Sequence, residues 1–344
     1  MGAGGASSGG KRDFDRTLAF VVEAEKLGVD QAWTAEAWGL DAVSTLAFLA
    51  GHVKRMTLGT GIMQVSARAP SMTAMTALSM AALTGDRFIL GLGNSGPQVV
   101  EGLQGERFYK PLSRMREVIE IVRMACRGEK LEHQGEHYVL PRPGGEGKAL
   151  RISQPPNENL PIWLATLSPR ALALTGELAD GWLGTSFVPE RADAHLEHLR
   201  RGAEKAGRSL DDLTLCVGAA VAFTDDPEPF VQRAKPQMAF TLGAMGSAKT
   251  NFYNDAYKRS GFEDAANEVQ QLWVAGKREE AAKAVPDAMI EQTSLFGSEA
   301  HVSERIALYR GAGISVLRLD PHGESATDKL DTLGRAVDLV GLAS

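Results

Sequence analysis

The stretch "TGDRFILGLGNSGPQVVEG", residues 84–102, contains the glycine pattern on which the choice of fold depends. Gly91, Gly93 and Gly96 have the spacing of a dinucleotide-binding loop, and the apolar run before them predicts a buried strand. Such a loop also requires a helix that starts at the third glycine and an acidic residue about 20 positions further on. Here Pro97 follows the third glycine, and the later positions read "FYKPL". The pattern therefore argues against a Rossmann crevice, and the glycine turn needs another purpose.

Strands and helices alternate on both sides of this stretch. The hydrophobic patterning predicts seven strands, at residues 31–34, 56–63, 87–91, 161–165, 181–184, 214–223 and 315–319. Helices are predicted between them, for example at residues 70–83 and 112–126. Such alternation predicts an α/β fold with a parallel sheet covered by helices, either a (β/α)8 TIM barrel or, as the alternative, an open doubly wound sheet.

Seven strands are one short of a closed barrel. The missing strand should precede the first helix, where residues 1–10 read "MGAGGASSGG" and predict a flexible lead-in. Either the lead-in replaces that strand or the chain starts late. Residues 11–344 are expected to form a single barrel domain with two rim insertions, at about 128–160 and about 225–296. The first insertion includes a predicted hairpin, "EHQGEHYVL".

The composition limits the classes of function. A net charge of −6 without a block of Lys or Arg argues against nucleic-acid binding. No apolar run reaches the ~20 residues of a membrane span, and the two cysteines read as core residues, so a cytoplasmic protein with a small-molecule substrate is expected. No metal site is expected, since Gly135 places His133 and His137 in a turn. His195 and His198 lie on a charged helix and are predicted to be solvated.

In a barrel, chemistry lies at the carboxyl ends of the strands. Glu36 follows the first predicted strand and is either a ligand contact or a salt-bridged rim carboxylate. Residues 61–64, with Gly61, Ile62 and Gln64, end the second strand and indicate either a bulge near a ligand or a plain twist. Residues 94–96 expose backbone N–H groups that suit a flat polar ring or an anion. Ser168 is a predicted helix N-cap that either binds a phosphate or only caps.

Several stretches together resemble one protein family. "DRFILGLGNSGPQVVEGLQGERFYKPLSRMREVIEIVR", "EAWGLDAVSTLAFLA", "LGTGIMQVSARAP", "ADGWLGTSF" and "MGSAKTNFYNDAYKRSGF" are similar, in this order, to the luciferase-like monooxygenase family. Within it they resemble the branch that uses the 8-hydroxy-5-deazaflavin coenzyme F420. The resemblance covers roughly residues 13–319. It implies a barrel that binds a flavin or deazaflavin at its carboxyl-terminal mouth, and a homodimer.

The resemblance also implies roles for particular residues. A non-prolyl cis peptide at Gly61-Ile62 is expected behind the cofactor ring, with Gln64 close by and Glu36 as the catalytic residue that contacts the ring or a proton. The polar edge of the ring is expected to contact Asn94, Ser95, Gly96 and Gln98. The phosphate end is expected to contact Leu167, Ser168, Arg170 and Ala171.

The sequence departs from the related sugar-phosphate dehydrogenases in their proton-handling residues. Those enzymes have a His and a Glu at the positions that Ala37 and Gly96 occupy here. The expectation is therefore an F420-dependent oxidoreductase that transfers a hydride between the deazaflavin and a carbonyl, alcohol, imine or activated alkene. Two alternatives stay open: an FMN-dependent monooxygenase on the same scaffold, and a barrel that binds a flavin without turnover.

Overall fold

A computed structural model describes residues 1–2, 10–246 and 250–342. Most of the predicted lead-in, residues 3–9, lies outside the described residues, as do residues 247–249 and 343–344. The strands are, in chain order, β1 (Gln31–Thr34), β2 (Thr57–Thr60), β3 (Met63–Gln64), β4 (Phe88–Gly93), β5 (His133–Gln134), β6 (Val139–Leu140), β7 (Ile162–Leu164), β8 (Gly181–Gly184), β9 (Thr214–Phe223), β10 (Leu295–Gly297) and β11 (Val316–Pro321).

Helices connect these strands and cover the outside of the sheet. They are α1 (Lys11–Lys26), α2 (Ala42–Ala50), α3 (Pro70–Thr84), α4 (Pro97–Val100), α5 (Pro111–Cys126), α6 (Pro169–Leu178), α7 (Asp193–Lys205), α8 (Glu228–Ala244), α9 (Phe252–Tyr257), α10 (Glu263–Val274), α11 (Arg278–Lys283), α12 (Asp287–Thr293), α13 (Glu299–Gly311) and α14 (Ala326–Leu342). In the described part of the chain, no helix has both the length and the apolar character needed to cross a membrane.

The parallel sheet is curled into a barrel. Adjacent strands of the sheet follow the chain order β1-β2-β4-β7-β8-β9, and β11 also pairs with β9. The rings of Trp33 on β1 and Trp163 on β7 have centroids 5.2 Å apart, although three strand spacings, about 14 Å in a flat sheet, separate β1 from β7. With Ile89, Leu183 and Cys216 they form one buried cluster. This interior cluster confirms the predicted barrel and rejects the open sheet.

The position of the missing strand contains a short N-terminal contact. The Trp33 N–H donates to the carbonyl oxygen of Met1 at 2.9 Å, and Gly2 forms a parallel bridge with Trp33. Met1 is buried against the main core. Of the described residues, only Met1 and Gly2 take the place of a strand beside β1.

Two further details differ from the predicted elements. The strand predicted at 56–63 is interrupted after Thr60 and resumes as β3, because a cis peptide bond joins Gly61 and Ile62. A one-turn helix, α4, does follow Gly96, whereas the long helix of this unit begins only at Pro111. The glycine turn is thus followed by a loop and not by the crossover helix that a pyrophosphate site needs.

The two rim insertions differ in structure. The predicted hairpin is present as β5 and β6, which pair antiparallel. Residues 225–296 are mostly helical, as predicted, but they end in β10, a strand that the patterning missed. β10 pairs with only the last three residues of β9. Helices α8 to α12 pack around a second apolar cluster that includes Phe230, Leu242 and Met289, separate from the main core.

His195 contradicts the prediction of a solvated side chain. It is fully buried, and its ring lies 5.5 Å from that of Trp182 and 5.8 Å from that of Phe187. Neither ring nitrogen has a hydrogen-bond partner in the described structure. Burial, aided by the positive charge of Arg259, lowers the pKa of His195 from its ordinary 6.5 to about 3, so the ring is neutral.

Candidate functional site

The end of β2 is remodelled at the mouth of the barrel. The Gly61-Ile62 peptide is cis, as the resemblance implies. The Gly61 N–H donates to the Thr34 carbonyl at 2.6 Å, and the Ile62 carbonyl accepts from the Glu36 N–H at 3.1 Å. These bonds attach the bulge to the end of β1, so residues 61–62 hold a fixed position beside the interior cluster.

Glu36 is engaged by protein groups on both carboxylate oxygens. Its Oε1 lies 2.5 Å from Arg68 Nη1, and its Oε2 accepts from Arg68 Nη2 at 2.9 Å. Oε1 also accepts from the backbone N–H of Gln64 at 2.7 Å. The Gln64 side chain in turn donates to the Glu36 carbonyl at 3.1 Å and accepts from Gln104. Glu36 and Gln64 therefore fix the segment directly after the cis bulge.

The glycine turn after β4 presents polar groups without protein partners. Asn94 and Ser95 are half-buried, and Ser95 is in the left-handed region with φ 57°. Within the described residues, neither side chain makes a hydrogen bond, and neither has a fully buried polar atom. Gly96 precedes α4, and Gln98 is exposed on its first turn. Asn94 and Ser95 are thus available to a bound molecule.

The turn after β7 has the form of a helix cap. Ser168 is the N-cap of α6, a helix of ten residues, and its hydroxyl accepts from the Ala171 N–H at a long 3.4 Å. The Leu167 carbonyl accepts from Arg259 Nη2 at 2.7 Å. Arg170 is exposed and lines a cleft of about 560 Å³ between α5, α6 and α7. The free N–H groups of this helix end favour an anion.

The sequence pattern did not predict two arginines of the site. Arg68 lies 32 positions from Glu36 in the chain, and no local pattern links them. Arg318 is the third residue of β11 and shares its inward face with Val316, which packs on the interior cluster. A charged residue at an inward position of a predicted barrel strand was the available signal. In the second insertion, Asn251 is a buried N-cap of α9.

Tyr253 approaches the barrel interior from the second insertion. Burial raises the pKa of its hydroxyl, and the positive charge of Arg318 opposes this rise. The two side chains are therefore close enough to interact electrostatically. No group of three His, Cys, Asp or Glu side chains in residues 1–2, 10–246 and 250–342 is arranged to hold a metal ion.

Comparisons with known proteins agree on one family. A model of the luciferase-like monooxygenase family matches residues 1–315. A Mycobacterium tuberculosis protein assigned as a coenzyme F420-dependent oxidoreductase is 41% identical over 305 residues, which cover 86% of this chain and 88% of that protein. The 5,10-methylenetetrahydromethanopterin reductase of Archaeoglobus fulgidus is 28% identical over 92% of this chain and 93% of its own.

A solved structure shows the same fold. An F420-dependent secondary alcohol dehydrogenase, determined with an F420-acetone adduct, superposes with a TM-score of 0.76 over 95% of each chain, at 15% identity. At that identity the likeness concerns the barrel and its insertions only. The predicted fold class is thereby confirmed.

Proposed function

The chain belongs to the luciferase-like monooxygenase family, and on this premise we propose that it is an oxidoreductase that uses coenzyme F420 and a small organic substrate. When bound, the deazaflavin carries a hydride at C5 of its ring. The observation that carries the proposal is a pair of polar side chains, Asn94 and Ser95, that make no hydrogen bond within the described residues and directly follow Gly93, where a Cβ would lie 3.0 Å from the Ile62 side chain of the bulge. The 41% identical F420-dependent relative supports the choice of cofactor.

The residues at the mouth fit a flat ring with a phosphate tail. In this proposal the backbone of Gly61 and Ile62 backs the ring, and its polar edge contacts Asn94, Ser95, Gly96 and Gln98. The α6 N-terminus binds the phosphate through its free N–H groups, with Leu167, Ser168, Arg170 and Ala171 around it. The protein groups thereby orient the ring and exclude water from one face.

In this proposal Glu36 has a positioning role in place of the catalytic role expected from the sequence. Both of its oxygens accept from Arg68, and Oε1 also accepts from the Gln64 N–H. A carboxylate held in this way has little capacity left for a substrate proton. We therefore assign Glu36 and Gln64 as positioning residues that hold the bulge, and the substrate lies under Tyr253 and the helical insertion.

Cofactor titration tests the proposal. Purified apoprotein is titrated with oxidised F420 and, separately, with FMN, and intrinsic Trp fluorescence reports binding. Asn94→Ala should weaken F420 binding about tenfold, as expected for loss of a hydrogen bond to a charged or polarised edge. Asn267→Ala on α10 is the matched control and should bind as the parent does.

The outcomes separate the alternatives. Tight binding of F420, with formation of oxidised cofactor when reduced F420 meets a panel of carbonyls, imines and activated alkenes, supports the proposal. A preference for FMN would replace it with a flavin monooxygenase. Binding without hydride transfer to any acceptor would point to a non-catalytic barrel.

We also propose a cytoplasmic homodimer. On α3, Met72, Met75 and Leu83 are 50%, 37% and 63% exposed, and their spacing places them on one face of the helix. Exposed apolar side chains on one face of a helix are typical of a protein interface. Sedimentation of the parent and of Leu83→Glu should give a dimer and a monomer, respectively.

A further inference from the structure

Arg318 places a guanidinium group inside the barrel. Its Nη1 lies 3.4 Å from the point that a Cβ on Gly61 would occupy, and its Nη2 lies 3.1 Å from the corresponding point on Gly218. Gly61 follows β2 and Gly218 lies on β9, so the group lies between two separate parts of the barrel wall. It is therefore directly beside the cis bulge at the proposed cofactor site.

This cation has no partner of its own. Among the described residues, Arg318 makes neither an ion pair nor a side-chain hydrogen bond, and it is only half-exposed. Asp320, two residues further along the same face, is exposed and forms no ion pair with it. Arginine cannot lose its proton to escape the cost of partial burial. A partly buried guanidinium without a protein acceptor can bind an anion with its N–H donors.

The surroundings favour a ligand as that anion. The neighbouring groups are glycine backbone, the Cys216 thiol, the Tyr253 hydroxyl and the Met1 amino group. Burial raises the pKa of the thiol and of the hydroxyl and lowers that of the amino group to about 5, so all three are uncharged at neutral pH. At the two glycines, the absence of a Cβ leaves room beside Nη1 and Nη2. A guanidinium binds two adjacent acceptor atoms in one plane, as in a carboxylate or an ionised ring edge.

We propose that Arg318 is the anion-binding residue of the barrel interior and pairs with a negatively charged oxygen of the molecule bound there. The identity of that molecule rests on the proposed function. Two sources have the required chemistry: the ionised ring of the 8-hydroxy-5-deazaflavin, and a carboxylate of the substrate.

Two probes distinguish the sources. The first is 8-hydroxy-5-deazariboflavin, which lacks the phosphate tail, so its affinity and its pH-dependent absorbance report on the ring alone. The second is benzoate, measured by calorimetry on the apoprotein and on the loaded protein. Arg318→Gln removes the charge, Arg318→Lys keeps it without the planar fork, and Arg142→Gln, in the exposed loop after β6, is the matched control.

A ring partner predicts at least tenfold weaker binding of the deazariboflavin by Arg318→Gln and a bound-ring ionisation that moves to higher pH, with Arg318→Lys between the two. A carboxylate partner predicts unchanged deazariboflavin binding and loss of benzoate binding. In either case the apoprotein melting temperature of Arg318→Gln should equal or exceed that of the parent, because an unpaired cation is removed.

Failure of the inference and failure of the proposed function give different results. If both probes bind Arg318→Gln within twofold of the parent, or if the parent binds neither probe, the inference is overturned. If the parent binds benzoate through Arg318 but no deazaflavin, the inference stands and the proposed cofactor is wrong. If the parent binds the deazaflavin and Arg318→Gln binds each probe as well as the parent does, the proposed function stands and the role proposed for Arg318 is wrong.

Discussion

Gly91 on β4 and Thr60 at the end of β2 lie in close backbone contact. A Cβ on Gly91 would lie 1.7 Å from the Thr60 carbonyl oxygen. The Thr60 hydroxyl also donates to the Gly91 carbonyl at 2.8 Å and accepts from the Gly91 N–H at 2.9 Å. The first of the three motif glycines, Gly91, therefore allows two backbones to approach just before the bulge, which is a packing role and not a phosphate-binding one.

Gly91→Ala should destabilise the protein severely. The added methyl group would overlap backbone that cannot rotate away, so we expect a loss of at least about 3 kcal/mol in the free energy of unfolding. Urea unfolding followed by far-UV circular dichroism measures it. Gly147→Ala is the control, because nothing lies within 4 Å of a Cβ there and its backbone is not left-handed. Equal stability of the two variants would contradict the close approach.

Glu36→Gln should destabilise the segment after the bulge. The change leaves Arg68 without its anion and places an amide NH2 group against donors. We expect a loss of about 2 kcal/mol, less than the ~3–5 kcal/mol of a fully buried pair, because the Arg68 side chain is still 21% exposed. Thermal and urea unfolding measure the loss. The exposed pair of Arg127 and Glu129, with side chains 44% and 47% exposed, supplies the control: Glu129→Gln should change stability by less than about 1 kcal/mol.

Glu117→Gln should loosen the first rim insertion. The buried carboxylate on α5 accepts from the backbone N–H groups of Glu136 at 2.9 Å, His137 at 3.0 Å and Tyr138 at 2.9 Å. Loss of these charge-assisted bonds should cost about 1–3 kcal/mol and speed hydrogen exchange of amides 136–138. Glu120→Gln, on the same helix, should leave exchange at these amides as it is in the parent.

The same carboxylate contributes a pH dependence. Burial alone would raise the pKa of Glu117, but the three N–H donors outweigh it, and the pKa is lowered. Its stabilisation is therefore complete at neutral pH and is lost as the pH falls through the lowered pKa. Glu117→Gln should flatten this part of the acid unfolding curve.

His195 should give the free energy of unfolding a second pH dependence, over a different pH range. Its pKa falls from 6.5 to about 3 on folding, so only the unfolded chain takes up this proton between these values. Stability is then complete above pH 6.5 and declines towards pH 3, by a few kcal/mol in all. His195→Leu should reduce the decline, measured by urea unfolding at stepped pH values. His301→Gln, on the exposed face of α13, should not; if it does, another group accounts for the slope.

The barrel was predictable because its signals are local. Each barrel strand is a short apolar run between helices, and the described strands agree with the predicted ones to within a few residues. β10 was missed because three residues, Leu295 to Gly297, are too few to show a period of two. Its pairing depends on the end of β9, which a local pattern does not reveal.

The site was predictable only where it follows strand ends. Sequence position gave Glu36 and Asn94 as mouth residues, but not that Arg68 would occupy both oxygens of Glu36, because the pair forms only after folding brings distant segments together. The burial of His195 was not predicted because its helix is rich in charged residues, while its own side chain faces Trp182. Arg318 was overlooked since only the curl of the sheet makes the alternate face of β11 an interior one.

The second apolar cluster, under residues 225–296, has a consequence for how this protein can diverge. It shares no buried side chain with the main core, and it joins the barrel through the last residues of β9 and through β10. Substitutions in it can therefore change the packing of this insertion without changing any buried side chain of the main core. Selection, or a designer exchanging this insertion between relatives, can alter the helical part of the rim while the barrel is inherited intact.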